Sequence, residues 1–200
     1  ILMKHSVYWT VEKIAARLAL IEPLTYRKRQ LITPFRYKAL EGPLTEPPIG
    51  PEADSDDWEP IPFDSYWGTW ATDFVLRTQI TVPPGWGHNG DGGRPLALHL
   101  PLGVAGDIFT HPEALAYIDG VAEASVDRHH HELFLPQHIN DGEEHTVALH
   151  GWTGLSGWPP DPKAKNKLYM RECALVEICP DTRAFYRLAK TALDVVSQQP

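Results

Sequence analysis

The chain has 200 residues, enough for one domain with a sizeable core or one domain with helical additions. Its 42% hydrophobic and 22% charged content suits a globular chain, and 19 prolines with 15 glycines favour a turn-rich β protein over a helical bundle. A net charge of −8 argues against a surface that neutralises nucleic-acid phosphates, and no apolar run is long enough to span a bilayer, so neither partner is expected.

Val7, Val11, Ile14, Leu18 and Ile21 recur at spacings of four and three, with Glu12, Lys13 and Arg17 between them. This predicts one amphipathic helix, with Ser6 or Thr10 as a cap and Pro23 near its end. The basic segment Arg27-Lys28-Arg29, followed by Arg36 and Lys38, reads as solvated surface. Residues 42–64 carry Pro43, Pro47, Pro48, Pro51, Pro60 and Pro62 among acidic side chains. That composition predicts a surface linker or extended arm with neither ladder nor helix.

A strand is predicted from Phe74 to Val82, stopped by Pro83-Pro84-Gly85. Phe74, Leu76, Thr78, Ile80 and Val82 share one face; Arg77, Gln79 and Thr81 share the other. The run His88-Asn89-Gly90-Asp91-Gly92-Gly93 predicts a loop, and Leu96, Leu98 and Leu100 alternate as the next strand. Ala114 to Ile118 and Val121 to Val126 form a hairpin about Asp119-Gly120. Glu132 to Leu135, His145 to Trp152 and Lys167 to Cys179 are further strands. Asp181 is the expected N-cap of a second amphipathic helix marked by Phe185, Leu188, Ala192 and Val195 or Val196. Short strands with regular turns indicate a mainly β fold, a jelly-roll or galactose-binding-like β-sandwich with flanking N- and C-terminal helices. The expected division is 1–41 for the first helix and basic segment, 42–64 for the arm, 65–180 for the sandwich and 181–200 for the last helix.

Cys173 and Cys179, if they share one strand, lie about 20 Å apart at ~3.3 Å per residue, beyond the ~7 Å limit for a disulfide. Free thiols and a reducing, cytoplasmic location are expected. In the run His129-His130-His131, the first and third histidines would share a strand face and could ligate zinc or nickel with a third group. No companion at recognised spacing accompanies them, and ordinary hydrogen bonding is the preferred reading. Trp67, Trp70 and Trp152 stand beside Gly68, Thr69 and Thr153 and are the candidate carbohydrate-binding platforms, although a core role satisfies an indole more readily. No nucleophile elbow, phosphate loop or dinucleotide fingerprint occurs, so no catalytic residue and no metal ligand is assigned.

The run Ala116-Tyr117-Ile118-Asp119-Gly120-Val121, then Val126-Asp127-Arg128-His129-His130-His131-Glu132-Leu133, resembles the amino-terminal β-sandwich domain of glycoside hydrolase family 38 α-mannosidases, cytosolic and vacuolar branch. Tyr26-Arg27-Lys28-Arg29, Asp73-Phe74-Val75-Leu76-Arg77 and Gly151-Trp152-Thr153-Gly154-Leu155-Ser156-Gly157 add to the resemblance. It implies a non-catalytic domain of a retaining α-mannosidase, inactive alone, whose zinc or other divalent metal and catalytic residues lie in a catalytic domain beyond Pro200. No His-x-Asp occurs here; the nearest string is His138-Ile139-Asn140. No cofactor is expected in this chain, and its partners would be the catalytic domain of the same polypeptide and a second copy in a homo-oligomer. The alternative is a carbohydrate-binding module acting through exposed tryptophans, and no mannose binding tighter than the millimolar range is expected. Exposed apolar residues on the two helices would mark an interaction surface. Exposed tryptophans beside polar loop side chains would mark a lectin.

Overall fold

The computed structural model describes residues 10–87, 94–103, 111–161, 163–164 and 168–197. Val7, Ser6 and the loop expected at 88–93 lie outside them. Strands β5 (Asp73–Thr81) and β10 (Glu144–Trp152) pair antiparallel along their whole length, from Asp73 opposite Trp152 to Thr81 opposite Glu144. They are the centre of a six-stranded sheet in the order β3 (Glu59–Pro60), β2 (Arg36–Ala39), β5, β10, β7 (Glu113–Ile118), β8 (Val121–Val126). A four-stranded sheet, in the order β1 (Tyr26–Leu31), β12 (Ala174–Ile178), β6 (Leu96–His99), β9 (Glu132–Phe134), closes the other side of the core. A short ribbon joins β4 (Ser65–Tyr66) to β11 (Tyr169–Met170), and helices α1 (Thr10–Ile21) and α2 (Pro180–Ser197) flank the sheets. This is the expected β-sandwich with flanking helices.

One core joins both sheets: Phe74, Leu76 and Leu149 from the first and Leu98, Leu133 and Leu175 from the second are all buried together. The alternation along β5 correctly sends Phe74, Leu76, Ile80 and Val82 inward. Its opposite face is covered as well, since Val75 and Arg77 are also buried. The proline-rich arm is the cover. Arg77 Nη1 donates to the carbonyls of Pro48 at 2.9 Å and Gly50 at 2.6 Å, and Arg36 Nη1 donates to those of Asp56 at 2.9 Å and Trp58 at 3.2 Å. Trp58 is buried, with the Lys38 and Arg77 cations 5.4 and 5.9 Å from its ring centroid. A proline-rich segment has few N–H donors for a ladder, so guanidinium groups satisfy its carbonyls instead. The arm nevertheless makes one short ladder that its composition argued against: β3 pairs with β2, its proline held at the sheet edge.

The basic segment read as solvated surface is edge strand β1, whose sequence lacks an apolar alternation. Lys28 Nζ reaches Glu177 Oε2 at 3.2 Å and Arg94 Nη1 reaches Glu177 Oε1 at 3.5 Å, while the Gly87 N–H donates to Oε2 at 3.1 Å. The Glu177 side chain is almost wholly buried on β12. Burial alone raises a carboxyl pKa, but the Gly87 N–H, Lys28 and Arg94 outweigh it and hold Glu177 below its ordinary value. The strand expected over Lys167 to Cys179 is two strands, β11 and β12, separated where Arg171 donates its N–H to the Pro101 carbonyl. Both cysteines are free thiols. Asp181 is not the cap of α2 but lies in its first turn, behind Pro180, whose missing N–H and preset φ suit the first helical position.

The helices pack on each other, but their apolar stripes are not buried as the spacing suggested. Leu18 is the buried residue of α1, at 6% exposure, and Arg183 that of α2. Leu188 is 74% exposed. Leu18→Ala is therefore expected to cost about 2–5 kcal/mol, whereas Leu188→Ala should stay within about 0.5 kcal/mol. Urea titration of the two variants checks both figures, and equal effects would contradict the packing.

Candidate functional site

The three candidate tryptophans do not share a face. Trp67 is 3% exposed, donates Nε1–H to the Leu102 carbonyl at 2.9 Å and meets Phe74 edge-on at 5.1 Å between centroids. It is core, and the structure removes it as an exposed sugar platform. Trp152 ends β10 and is partly open to solvent. Trp70 lies half-buried in the loop before β5, packed against the core.

The histidine run is a turn, not a strand. Asp127 Oδ1 accepts the N–H groups of His129 at 2.6 Å and His130 at 2.8 Å, and the His130 ring Nδ1 lies 2.9 Å from Asp127 Oδ2. Burial raises the Asp127 pKa, but these bonds prevail and bring it to about 2. His129 stays exposed, its Nε2 accepting from Arg128 Nε at 2.9 Å, while it and His131 still line one pocket. His131 turns inward and stacks on His111 with centroids 5.8 Å apart and planes 9° apart, and His99 meets it at 6.4 Å. One ring nitrogen of each, His99 Nδ1, His111 Nε2 and His131 Nε2, is buried without a hydrogen-bond partner among the described residues. Burial, the largest cause in each case, pushes all three pKa values down and favours the neutral rings. Among the described residues no group of three or more His, Cys, Asp or Glu could hold a metal ion.

Below this cluster an open pocket of about 540 Å³ lies where α2 meets the four-stranded sheet, lined in part by Tyr26, Arg29, His131, Glu132 and Arg183. Glu132 on β9 accepts hydrogen bonds from Tyr26 Oη at 2.9 Å, from Arg187 Nη2 at 3.2 Å and from Arg183 Nη2. Arg183 also lies 4.8 Å from the Phe134 ring centroid. Burial first, and then the Glu132 charge, push the Tyr26 phenol well above its ordinary value, so it stays a donor. The second carboxylate of the pocket, Glu22, bonds to Tyr186, whose pKa burial and that bond push up to about 12. Both carboxylates hold α2 in place, Glu132 from strand β9 and Glu22 from the turn Glu22–Thr25 that follows α1. Sequence reading placed Glu132 on a strand but had no signal for its partners, which are up to 106 residues away.

On these helices Ile14 and Leu20 of α1 and Phe185, Leu188, Val195 and Val196 of α2 are exposed among the described residues. No helix among the described residues is long and apolar enough to cross a membrane.

No family model matches the chain, and no curated protein matches it. Similar solved structures include a calcium-binding mutant of Bacteroides uniformis β-glucuronidase 2, at 17% identity and a TM-score of 0.46, and Bacteroides uniformis β-glucuronidase, at 17% identity and 0.47. Each covers 74% of this chain, which in turn covers 18% of that chain. The resemblance to family 38 α-mannosidases is not upheld: neither a family model nor a curated relative supports it, and these structural neighbours are β-glucuronidases. The residues that carried the resemblance also have local explanations. Asp119 and Gly120 occupy positive φ, at 49° and 81°, as a tight hairpin requires. Asp127 caps its own turn, and a Cβ on Gly151 would come within 2.7 Å of Ala114 Cα. Turn and packing demands of this kind recur in any antiparallel sandwich and do not single out one family.

The histidine cluster and the Glu132 pin generate two expectations. A His whose folded pKa lies below its unfolded value, about 6.5, lends stability that is present above that pH and lost as pH falls through the folded pKa. His99, His111 and His131 all have that sign, so unfolding free energy should decline from pH 7 toward pH 5. His145 has the opposite sign: burial lowers its pKa, but Asp119 at 2.7 Å and Asp141 at 3.0 Å raise it overall, and its contribution is lost only as pH rises above the unfolded value. Denaturant melts across that range should flatten in His131→Phe, and a slope unchanged in that variant would refute the assignment. Glu132→Gln should cost on the order of 3 kcal/mol, because Arg183 is left buried without its counter-charge, and hydrogen exchange should then quicken in α2 before the sheets.

Proposed function

We propose that this chain is a non-catalytic β-sandwich module of a cytoplasmic glycoside hydrolase, and that its two-helix layer docks on the catalytic module of the same polypeptide. The observation that carries the reading is the exposed apolar surface of α1 and α2. Single exposed apolar side chains are ordinary, but Phe185, Leu188, Val195 and Val196 share the side of α2 opposite its buried Arg183, and such a stripe is what interaction surfaces present. Glu132 supports it by fixing α2 to the sheet through Arg183 and Arg187, which makes that patch a rigid platform. The commitment of Glu22 and Glu132 to structural bonds favours a module without hydrolytic chemistry of its own. Free Cys173 and Cys179 are in keeping with a reducing compartment.

Leu188→Asp tests the docking role cleanly, because a residue so exposed can be changed without disturbing the fold. The isolated chain should sediment as a monomer and should not hydrolyse aryl glycosides. Leu188→Asp should weaken association with the separately expressed catalytic module at least about tenfold, or 1.4 kcal/mol. A dimer that Leu188→Asp abolishes would instead assign the patch to a second copy of the chain. Hydrolysis that follows the protein through purification would overturn the non-catalytic reading.

A further inference from the structure

A second pocket, of about 420 Å³, is lined by no residue of either helix and is independent of the docking surface. It lies between the loop that carries Trp70 and the loop after β10. Its walls are mostly apolar, formed by Trp70, Ala71, Leu155 and Pro160, with Thr69, Ser156 and Asp161 supplying polar groups. The volume falls within the range of small-ligand sites, about 300–1,000 Å³.

The presentation of Trp70 is unusual. Its Nε1–H is buried and has no acceptor among the described residues, whereas the Trp67 indole, three residues earlier, donates to Leu102. An unmatched buried donor costs about 1–3 kcal/mol. The next residue, Ala71, has φ of 54°, a left-handed conformation that costs a non-glycine residue roughly 1–2 kcal/mol. Three bonds hold that turn in place. The Ala71 N–H donates to the Gly154 carbonyl at 2.8 Å, the Thr72 N–H donates to Thr153 Oγ1 at 2.9 Å, and the Thr69 and Thr72 hydroxyls meet at 2.8 Å. Thr153 is fully buried, so the loop is tied to the core. Across the pocket, the Asp161 N–H donates to Ser156 Oγ at 2.8 Å, and Asp161 Oδ1 accepts the Lys163 N–H at 2.9 Å, which orients the carboxylate. A strained turn and an unsatisfied donor meet beside one pocket. Observed strain of this kind points toward function.

We propose that this pocket is a binding subsite for a neutral pyranose. A sugar ring has an apolar C–H face that suits the indole, Leu155 and Pro160. Its hydroxyls suit the Asp161 carboxylate, which accepts, and the Thr69 and Ser156 hydroxyls in the same pocket. None of the described lining residues is Lys or Arg, and one is a carboxylate, which favours a neutral sugar over a uronic acid or sugar phosphate at this lining. Affinity is expected in the millimolar range, about −4 kcal/mol.

The test is a titration of the whole chain followed by the ¹H–¹⁵N signal of the Trp70 indole, assigned by its disappearance in Trp70→Phe. The probes are methyl α-D-mannopyranoside, methyl β-D-glucopyranoside, cellobiose and sodium glucuronate. At least one neutral probe should move that signal saturably, glucuronate should bind at least about tenfold more weakly, and Asp161→Asn should weaken the neutral probe at least about fivefold. The same spectrum reports whether Asp161→Asn remains folded, and Trp152→Ala should leave binding unchanged. The proposal is overturned if no neutral probe moves the signal up to about 50 mM. It is also overturned if glucuronate binds equally well, or if a folded Asp161→Asn binds like the parent. None of these outcomes bears on whether the helices dock.

Discussion

Strands β5 and β10 must be satisfied on both edges and covered on both faces, and most of the remaining structure answers that demand. Each is an interior strand, β5 flanked by β2 and β10 flanked by β7, so no ladder edge in the middle of the six-stranded sheet faces water. Their inner face packs on the four-stranded sheet through Leu76 and Leu149. The outer face of β5 carries Arg77, a residue that would suit solvent, yet the arm encloses it. Arg77 and Arg36 make this burial tolerable because their forked donors are used on carbonyls of a segment that, being rich in proline, forms little ladder of its own. The acidic, proline-rich composition thus belongs to a strap tied to the sheet by cations.

The same logic governs two carboxylates, the buried Glu177 and the partly buried Glu132. Glu177 ties the edge strand β1, through Lys28, to the Gly87 turn and Arg94. Glu132 ties β1, through Tyr26, and helix α2, through Arg183 and Arg187, to β9. A buried ion pair adds little net stability compared with apolar packing, but breaking one is costly, so such pairs act as fasteners with a defined geometry. With α2 fastened at its buried residue, Arg183, the apolar side chains on its outer side stay exposed among the described residues. That constraint links the Glu132 pin to the proposed docking role.

Local chemistry could be read along the chain wherever the cause is local. Asp119-Gly120 marks a hairpin because the turn needs positive φ, and the leucines of β6 alternate because they face the main core, although the opposite face, with Ala97, is buried as well. Strand β1 was missed because Tyr-Arg-Lys-Arg-Gln-Leu has no apolar period; its edge position and its carboxylate partner make it a strand. Trp67 and Trp70 stand beside similar small residues, and nothing nearby says that the first finds the Leu102 carbonyl while the second finds no acceptor among the described residues. The histidine run likewise gives no sign that Asp127 folds it into a turn or that His131 stacks on His111, twenty residues before it.

From sequence alone, then, come the β-sandwich class, the positions of most interior strands and their turns, the two helices and the free thiols. Each follows from periodicity, φ preference or spacing over a few residues. The tertiary structure decides which charges are buried, which face of each helix stays open, which tryptophan is core and which lines a pocket. Those outcomes depend on contacts between residues far apart in the chain, such as Tyr26 with Glu132 and Lys28 with Glu177. Hydrogen-bond satisfaction and burial act on such pairs only after the sheets have brought them together.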